Sequence, residues 1–138
     1  RGTRRAPLAP QSRRLSTFGN SSMSEAAPEI SFNAFLKVDI RVGKIIRAES
    51  FPEARNPSFK LWVDFGPELG TRKTSAQITK HYTLEDLPGH LIAAVVNFPP
   101  RQIGKFMSEF LVLGFPDKDG DVVLITPDQS IPLGGRLY

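Results

Sequence analysis

The sequence contains no cysteine, which excludes disulfides, thiolate zinc sites and cysteine nucleophiles and is typical of a reducing compartment such as the cytoplasm. It also lacks any apolar run close to the roughly 20 residues of a membrane-spanning helix, so no membrane insertion is expected. No phosphate-binding glycine loop or nucleophile motif occurs. The sequence therefore predicts a protein that is not an enzyme and needs no cofactor.

Histidine is also scarce, with two in the chain. The two histidines, His81 and His90, lie on opposite sides of a predicted turn and have no partner at ligand spacing. Asp117, Asp119 and Asp121 resemble the start of a calcium-binding loop, but Asp128 stands where that loop requires glutamate. We interpret the three aspartates as a solvated hairpin turn and expect no metal site.

The net charge of +4 is distributed unevenly along the chain. Residues 1–22 contain five arginines and no acidic residue, whereas residues 23–138 contain 13 basic and 14 acidic side chains, a net charge of −1. The basic character thus belongs to the first segment. Nucleic-acid binding by the remainder would depend on a local basic patch.

Residues 1–30 are expected to be a disordered leader, and residues 31–138 a single folded domain. The leader is rich in Arg, Ser, Pro and Gly, has no periodicity, and resembles a mitochondrial presequence in its arginine content. Met23 is typical of a natural start, so we favour an extension derived from a vector or from upstream translation.

Alternating apolar residues predict a β-rich domain after one short helix. Ser31 is a suitable helix cap, and the apolar residues that follow it have helical spacing. Residues 37–49 alternate as a half-buried strand whose inward side chains are expected to be Val38, Ile40, Val42, Ile46 and Ala48. Gly43 within this strand indicates a bulge or bend, as a closing barrel requires.

Five more strands are predicted, at residues 59–65, 72–78, 91–96, 110–115 and 122–126. The second strand places Trp62 on its charged side, where it lies over loops, lies at a subunit contact or stacks on a ligand. A capped turn from Thr83 to Gly89 precedes the fourth strand. The fourth and fifth strands are apolar on both faces, so a second copy of the chain is expected to cover one of them.

The segment from Asn97 to Gly114 is the candidate binding surface. Its Pro99-Pro100 pair removes two backbone donors, so the segment should not be an ordinary ladder. Polar side chains and Phe106, expected to be exposed, would surround an apolar floor. The alternative is a connection between strands whose charges face water.

Several motifs resemble one known family. Asp39–Ile46 (DIRVGKII) and Gln77-Ile78 are similar to the tRNA-binding-domain family, an oligonucleotide-binding (OB) fold module of some methionyl- and phenylalanyl-tRNA synthetases that is related to endothelial monocyte-activating polypeptide II. Within that family, Asn97–Gly104 (NFPPRQIG) and Ser108–Gly114 (SEFLVLG) resemble the CsaA-like secretion chaperones. The resemblance implies a five-stranded OB-fold barrel with short helices, an N-terminal helix and added C-terminal strands, assembled as a homodimer.

The resemblance also implies a function. CsaA-like proteins are export chaperones that bind unfolded preproteins, with the export machinery as a further partner, whereas the wider family binds tRNA by shape. The tRNA-binding members carry methionine at the position of Leu111, which favours the peptide-binding hypothesis; tRNA binding is the alternative. The candidate peptide- or tRNA-binding residues are Arg41, Lys44, Asn97, Phe98, Arg101, Gln102, Lys105, Phe106, Met107, Ser108 and Glu109.

Overall fold

The computed structural model describes residues 25–138, and its main element is a five-stranded antiparallel sheet. Its strands lie side by side in the order Thr71–Ala76, Phe59–Asp64, Ile40–Ser50, Leu91–Val95 and Leu111–Val112. The predicted leader lies outside the described residues except for 25–30, which form no helix or strand. The strands are β1 (Ile40–Ser50), β2 (Phe59–Asp64), β3 (Thr71–Ala76), β4 (Leu91–Val95), β5 (Arg101–Ile103), β6 (Phe106–Ser108), β7 (Leu111–Val112), β8 (Gly114–Pro116) and β9 (Val122–Leu124).

The core lies on the inner face of this sheet. The inward side of β2 is the predicted one, since Leu61, Val63 and Phe65 are buried while Trp62 faces outward. The free edges of β3 and β7 approach each other, and the hydroxyl of Thr74 donates to the carbonyl of Phe110 across the gap (2.7 Å). The sheet thus curls into a nearly closed five-stranded barrel of the OB type, which confirms the predicted fold class.

Strand β1 differs from the prediction in the position of its bulge. The pairing with β2 shifts between Ile45 and Arg47, so Ile45 is fully buried and Ile46 is 47% exposed, contrary to the expected alternation. Gly43 instead permits a close approach, because a Cβ atom there would lie 2.5 Å from Val63 Cγ1 and 2.7 Å from the Phe65 ring. The glycine is thus a packing requirement of the barrel.

The segment after Pro100 is a short hairpin, which corrects the expectation that it would not be a ladder. Strands β5 and β6 pair in register, with Arg101 opposite Ser108 and Gln102 opposite Met107. The predicted fifth strand is divided into β7 and β8. Leu113 separates them, since its N–H donates to Ala93 while its carbonyl accepts from Ile125.

The predicted helix is present as α1 (Phe32–Leu36), and the N–H of Ala34 donates to Ser31 Oγ at 3.0 Å. The turn after Thr83 is also confirmed, with the N–H of Asp86 donating to Thr83 Oγ1 at 3.2 Å. Residues 36–138 form one compact unit. In residues 25–138, no helix has the length and apolar character needed to cross a membrane.

Candidate functional site

A groove of about 960 Å³ lies against the end of β3. Its walls come from the β1–β2 loop, the end of β3, the segment before β5 and the segment after β6. The lining residues are Ala54, Arg55, Asn56, Ser58, Ser75, Ala76, Gln77, Ile78, Phe98, Pro99, Arg101, Ile103, Ser108, Phe110, Leu111, Val112 and Val122. No acidic side chain is among them, so the charged groups that line the groove, Arg55 and Arg101, are both cationic.

The floor of the groove is apolar and rigidly placed. Ile78 and Phe110 belong to the core and are 2% and 5% exposed. The Phe110 ring meets the Phe65 ring edge-on, with centroids 4.9 Å apart. Next to them, Leu111 is 48% exposed. The groove therefore offers apolar surface to a ligand beside buried side chains that do not need to move.

Two hydrogen-bond clamps hold the segment after β6 to β3. The N–H of Glu109 donates to the Lys73 carbonyl (2.8 Å), and the Lys73 N–H donates to Glu109 Oε1 (2.9 Å). The buried hydroxyl of Thr74 lies 2.7 Å from both Ser108 Oγ and the Phe110 carbonyl. Because Thr74 has one proton to donate and gives it to Phe110, Ser108 is the donor of the other bond. Glu109 and Ser108 thus shape the site from within.

The edge of β3 continues past these clamps without a partner. In an antiparallel ladder, facing residue pairs alternate between pairs that exchange backbone hydrogen bonds and pairs that do not. Because the Phe65 N–H donates to the Gly70 carbonyl, Lys73 and Ser75 belong to pairs of the second kind. Their backbone N–H and C=O groups therefore point away from β2. The edge groups of Lys73 bond to Glu109. In the part of the chain that the structure describes, the N–H of Ser75 has no acceptor, and Ser75 lines the groove. A free strand edge therefore faces the groove.

Phe106 is buried, contrary to the expectation of an exposed aromatic. It is 9% exposed and packs on the outer side of β2, 5.3 Å from the Phe51 ring and 6.3 Å from the Trp62 ring (centroid distances). It anchors the β5–β6 hairpin to the sheet and places Arg101 and Ile103 along the groove. Because Phe106 belongs to β6, this contact of Trp62 does not decide among the three predicted locations for its ring.

The predicted site residues divide into three groups. Phe98, Arg101 and Ser108 line the groove. Asn97 stabilises the fold instead, since its side chain accepts from the Asp39 N–H (3.0 Å) and donates to the Lys37 carbonyl (2.7 Å). The remaining predicted residues do not line the groove; these are Arg41, Lys44, Gln102, Lys105, Phe106, Met107 and Glu109.

Arg41 is engaged in an ion pair. Its Nε lies 2.6 Å from Asp39 Oδ1, and its Nη1 donates to the Gly134 carbonyl at 2.9 Å. The hydrogen bond between the two side chains lowers the pKa of Asp39 below its ordinary value and raises the pKa of Arg41. Arg41 therefore ties β1 to the residues near the C-terminus.

Four groove residues were not predicted from the sequence: Arg55, Asn56, Ser75 and Gln77. Gln77 and Ile78 were noted only as part of the family resemblance. The sequence around Arg55 has prolines typical of a loop but no motif that indicates binding. The partner of His81 was also missed, since its Nε2 lies 2.7 Å from Asp117 Oδ2 although 36 residues separate the two in sequence. These neighbours are distant in sequence, so spacing rules do not find them.

The three aspartates form the predicted turn, between β8 and β9. Asp117 Oδ1 accepts from the N–H groups of Asp119 (2.8 Å) and Asp121 (2.9 Å). The hydrogen bond from His81, followed by these backbone bonds, lowers the pKa of Asp117. Oxygen atoms of the three carboxylates lie within 4.8 Å of one another, yet the bonds of Asp117 account for its position without an ion.

Comparison with known proteins places the chain in a family. Residues 40–136 match the family model described as putative tRNA binding domain. A methionine–tRNA ligase of Porphyromonas gingivalis is 35% identical over 116 residues, which are 82% of this chain and 17% of that protein. The chain thus spans less than a fifth of the curated relatives that it matches.

Two solved structures agree with this match. The chaperone CsaA of Bacillus anthracis is 49% identical with a TM-score of 0.76, and CsaA of Picrophilus torridus is 47% identical with a TM-score of 0.74. Each comparison covers 80% of this chain and all of the solved chain. The chain therefore belongs to the tRNA-binding-domain family and is a CsaA-like member of it.

Proposed function

We propose that this protein is a non-enzymatic chaperone of the cytoplasm that binds extended segments of unfolded preproteins in the groove beside β3. The observation that carries the proposal is the free edge at Ser75, which faces a groove with an apolar floor. An extended polypeptide can add a strand to such an edge, so that main-chain hydrogen bonds supply sequence-independent affinity. The likeness to CsaA chaperones supports this function.

The side chains of a bound segment would alternate in direction. Those pointing inward meet the floor of Ile78, Phe110 and Leu111, and burial of apolar surface there contributes about 25 cal/mol per Å² before the cost of ordering. Phe98, which is 52% exposed, lies at the rim and is free to close over the segment. Recognition by shape and apolar character would suit clients of many sequences, with the export machinery as the next partner.

A homodimer is part of the proposal. Several apolar side chains of residues 36–138 are more than two-fifths exposed, among them Ile46, Phe115, Val123 and Leu137. A specific dimer interface of standard size would bury roughly 1,600 Å² in total and would cover such a surface. Light scattering at micromolar concentration should give twice the 15.3 kDa of one chain. A monomeric mass would contradict the dimer.

Binding of tRNA is the second candidate, and the match of residues 40–136 to a tRNA-binding family supports it. Arg55 and Arg101, the cations of the groove, would then bind phosphates. Replacement of one phosphate-binding cation by alanine would reduce the slope of affinity against salt concentration by about one unit. The polypeptide hypothesis predicts instead a weak dependence on salt.

One experiment separates the two. The affinity of the full chain for a permanently unfolded protein and for tRNA is measured side by side at two salt concentrations, with the wild type and Arg55→Ala/Arg101→Ala. We expect polypeptide binding that survives in the double variant. A tRNA affinity that persists at physiological salt and collapses in the variant, without polypeptide binding, would establish the alternative.

A further inference from the structure

Two lysines lie over a single buried ring on the outer face of the sheet. The Nζ atoms of Lys60 and Lys73 are each 5.3 Å from the centroid of the Phe106 ring, and Lys60 Nζ is also 4.9 Å from that of Phe51. The two ammonium groups are thus held on neighbouring strands above the same aromatic cluster. Their stems cover the rings while their charges remain at the surface.

These two charges have no anionic partner of their own. Across residues 25–138, no carboxylate oxygen lies within 4.0 Å of either ammonium nitrogen. Glu49, opposite Lys60 on β1, is paired with Arg47, and Glu109 Oε1 accepts from the backbone of Lys73. Each of these ammonium groups would therefore be stabilised by an anion bound next to it.

The lysine pair adjoins the groove through Ser75. Lys60 lies directly opposite Ser75 in the β2–β3 ladder, and Lys73 precedes Ser75 by two residues, so all three side chains share the outer face of the sheet. A strand added at the edge of β3 would direct alternate side chains to this face and the intervening ones to the apolar floor. A side chain next in sequence to an apolar anchor would therefore approach the lysines.

We propose that Lys60 and Lys73 bind a carboxylate of the polypeptide, so that the preferred clients are extended segments in which Asp or Glu stands directly beside apolar residues. The inference rests on the proposed function, because it assumes a strand at the edge of β3. Among the described residues that line the groove, Arg55 and Arg101 are cationic and none carries a carboxylate. The groove therefore does not repel an acidic segment.

A phosphate group of RNA would also be attracted to two lysines, but the surrounding rings favour polypeptide. Binding of single-stranded RNA relies on aromatic faces on which bases stack. Phe51 and Phe106 are 4% and 9% exposed, and the guanidinium of Arg47 lies over the Trp62 ring at 4.5 Å from its centroid. The cluster thus presents ammonium groups to a ligand, whereas its aromatic faces are covered and do not offer a surface for base stacking.

The test compares three peptides of one length with apolar residues at alternate positions. The first has Glu between two apolar residues, the second has Gln there, and the third carries the Glu beyond the apolar stretch. Fluorescence anisotropy with the full chain should show the first peptide binding about tenfold more tightly than the other two, as for a charge-assisted contact. In Lys60→Gln/Lys73→Gln this preference should vanish while affinity for the Gln peptide is kept.

Two controls isolate the role of the pair. Lys60→Arg/Lys73→Arg should keep the preference, and Lys80→Gln/Lys118→Gln removes the same charge from two exposed lysines that do not line the groove. Each variant is checked by urea denaturation. If the double Gln variant does not fold, the single variants replace it, and each should reduce the preference about threefold.

The outcomes separate the inference from the proposed function. Equal affinity for the Glu and Gln peptides overturns the inference and leaves the proposed function standing. A preference that persists in the folded Lys60→Gln/Lys73→Gln variant also overturns it. Failure of every peptide to bind the wild type overturns both. Binding of RNA that depends on these lysines and is not displaced by the Glu peptide would assign the pair to nucleic acid.

Discussion

The hydroxyl of Thr74 donates a hydrogen bond to the carbonyl of Phe110 at 2.7 Å, and this bond joins β3 to a residue 36 positions later in the chain. Thr74 is 1% exposed and is the buried polar residue of the described core. Its bond draws together two strand edges and places Phe110 in the floor of the groove. One side chain thus contributes to closure of the barrel and to the candidate site.

Thr74→Val should destabilise the barrel. Valine has nearly the same shape but leaves the Phe110 carbonyl and the Ser108 hydroxyl without their partner, at a cost of about 1–3 kcal/mol. Urea denaturation measures the change in the free energy of unfolding. The matched substitution Thr71→Val, at an exposed position of the same strand, should change it by less than about 0.5 kcal/mol. Equal effects of the two would show that the bond does not matter.

Ser75→Pro should weaken polypeptide binding while the barrel remains folded. Proline removes the free N–H at the edge of β3, where the proposed added strand would bond, and edge strands tolerate proline. Thr71→Pro alters the same edge outside the groove and serves as the control. Anisotropy with a fluorescent peptide should show a loss of affinity in the first variant alone. Unchanged binding in Ser75→Pro would exclude strand addition at this edge.

Phe106→Ala should cost more stability than Phe98→Ala, although both rings were expected to contact a ligand. Removal of a buried phenyl group leaves a cavity between Phe51 and Trp62 and costs about 3 kcal/mol. Phe98, being 52% exposed, should cost under about 1 kcal/mol in unfolding experiments yet reduce peptide affinity. Our account of the hairpin anchor would be wrong if the order of the two stabilities were reversed.

Acid should weaken the link between Asp39 and Arg41. The hydrogen bond from Arg41 lowers the pKa of Asp39 below its ordinary 3.8, so the folded state binds a proton less readily than the unfolded chain. The stabilisation is therefore complete above about pH 4 and disappears as the pH falls through the lower folded-state value.

Urea midpoints for Asp39→Asn and the wild type test this dependence. The variant should be less stable at about pH 6, and the difference should shrink towards about pH 2. Asp86→Asn removes an exposed carboxylate that forms no ion pair in the described chain, so its effect on stability should be small at both pH values. If the difference in stability between Asp39→Asn and the wild type did not change with pH, the ionised Asp39 carboxylate would not be the source of the stabilisation.

Much of the fold followed from local pattern. Alternation in β2 correctly assigned Leu61, Val63 and Phe65 to the core, and Ser31 marked the start of α1. The same rule failed at Ile46, because a bulge places two residues of β1 opposite one of β2, so that Ile45 faces the core before the bulge and Ala48 faces it after the bulge. A bulge is a property of the pair of strands, so the sequence of one strand did not reveal it.

The candidate site was predicted only in part for a related reason. Phe98, Arg101 and Ser108 line the groove, whereas Phe106, an aromatic residue of the same predicted surface, is buried. Its burial depends on Phe51 and Trp62, which lie more than 40 positions earlier in the chain. Arg55 lies on the β1–β2 loop and Ser75 lies on β3. The loop and the strand meet only in the folded barrel, so no local motif predicts these two residues in the groove.

The sequence by itself determined the all-β class, the inward face of β2 and, through its motifs, the family. These properties depend on residues that are neighbours in the chain or repeat with the period of a strand. Only the tertiary structure decided which polar groups hold the barrel and which remain free. Glu109 is bound to Lys73, whereas the N–H of Ser75 has no acceptor in the described residues, because these contacts depend on where two strand edges distant in sequence meet in the folded barrel.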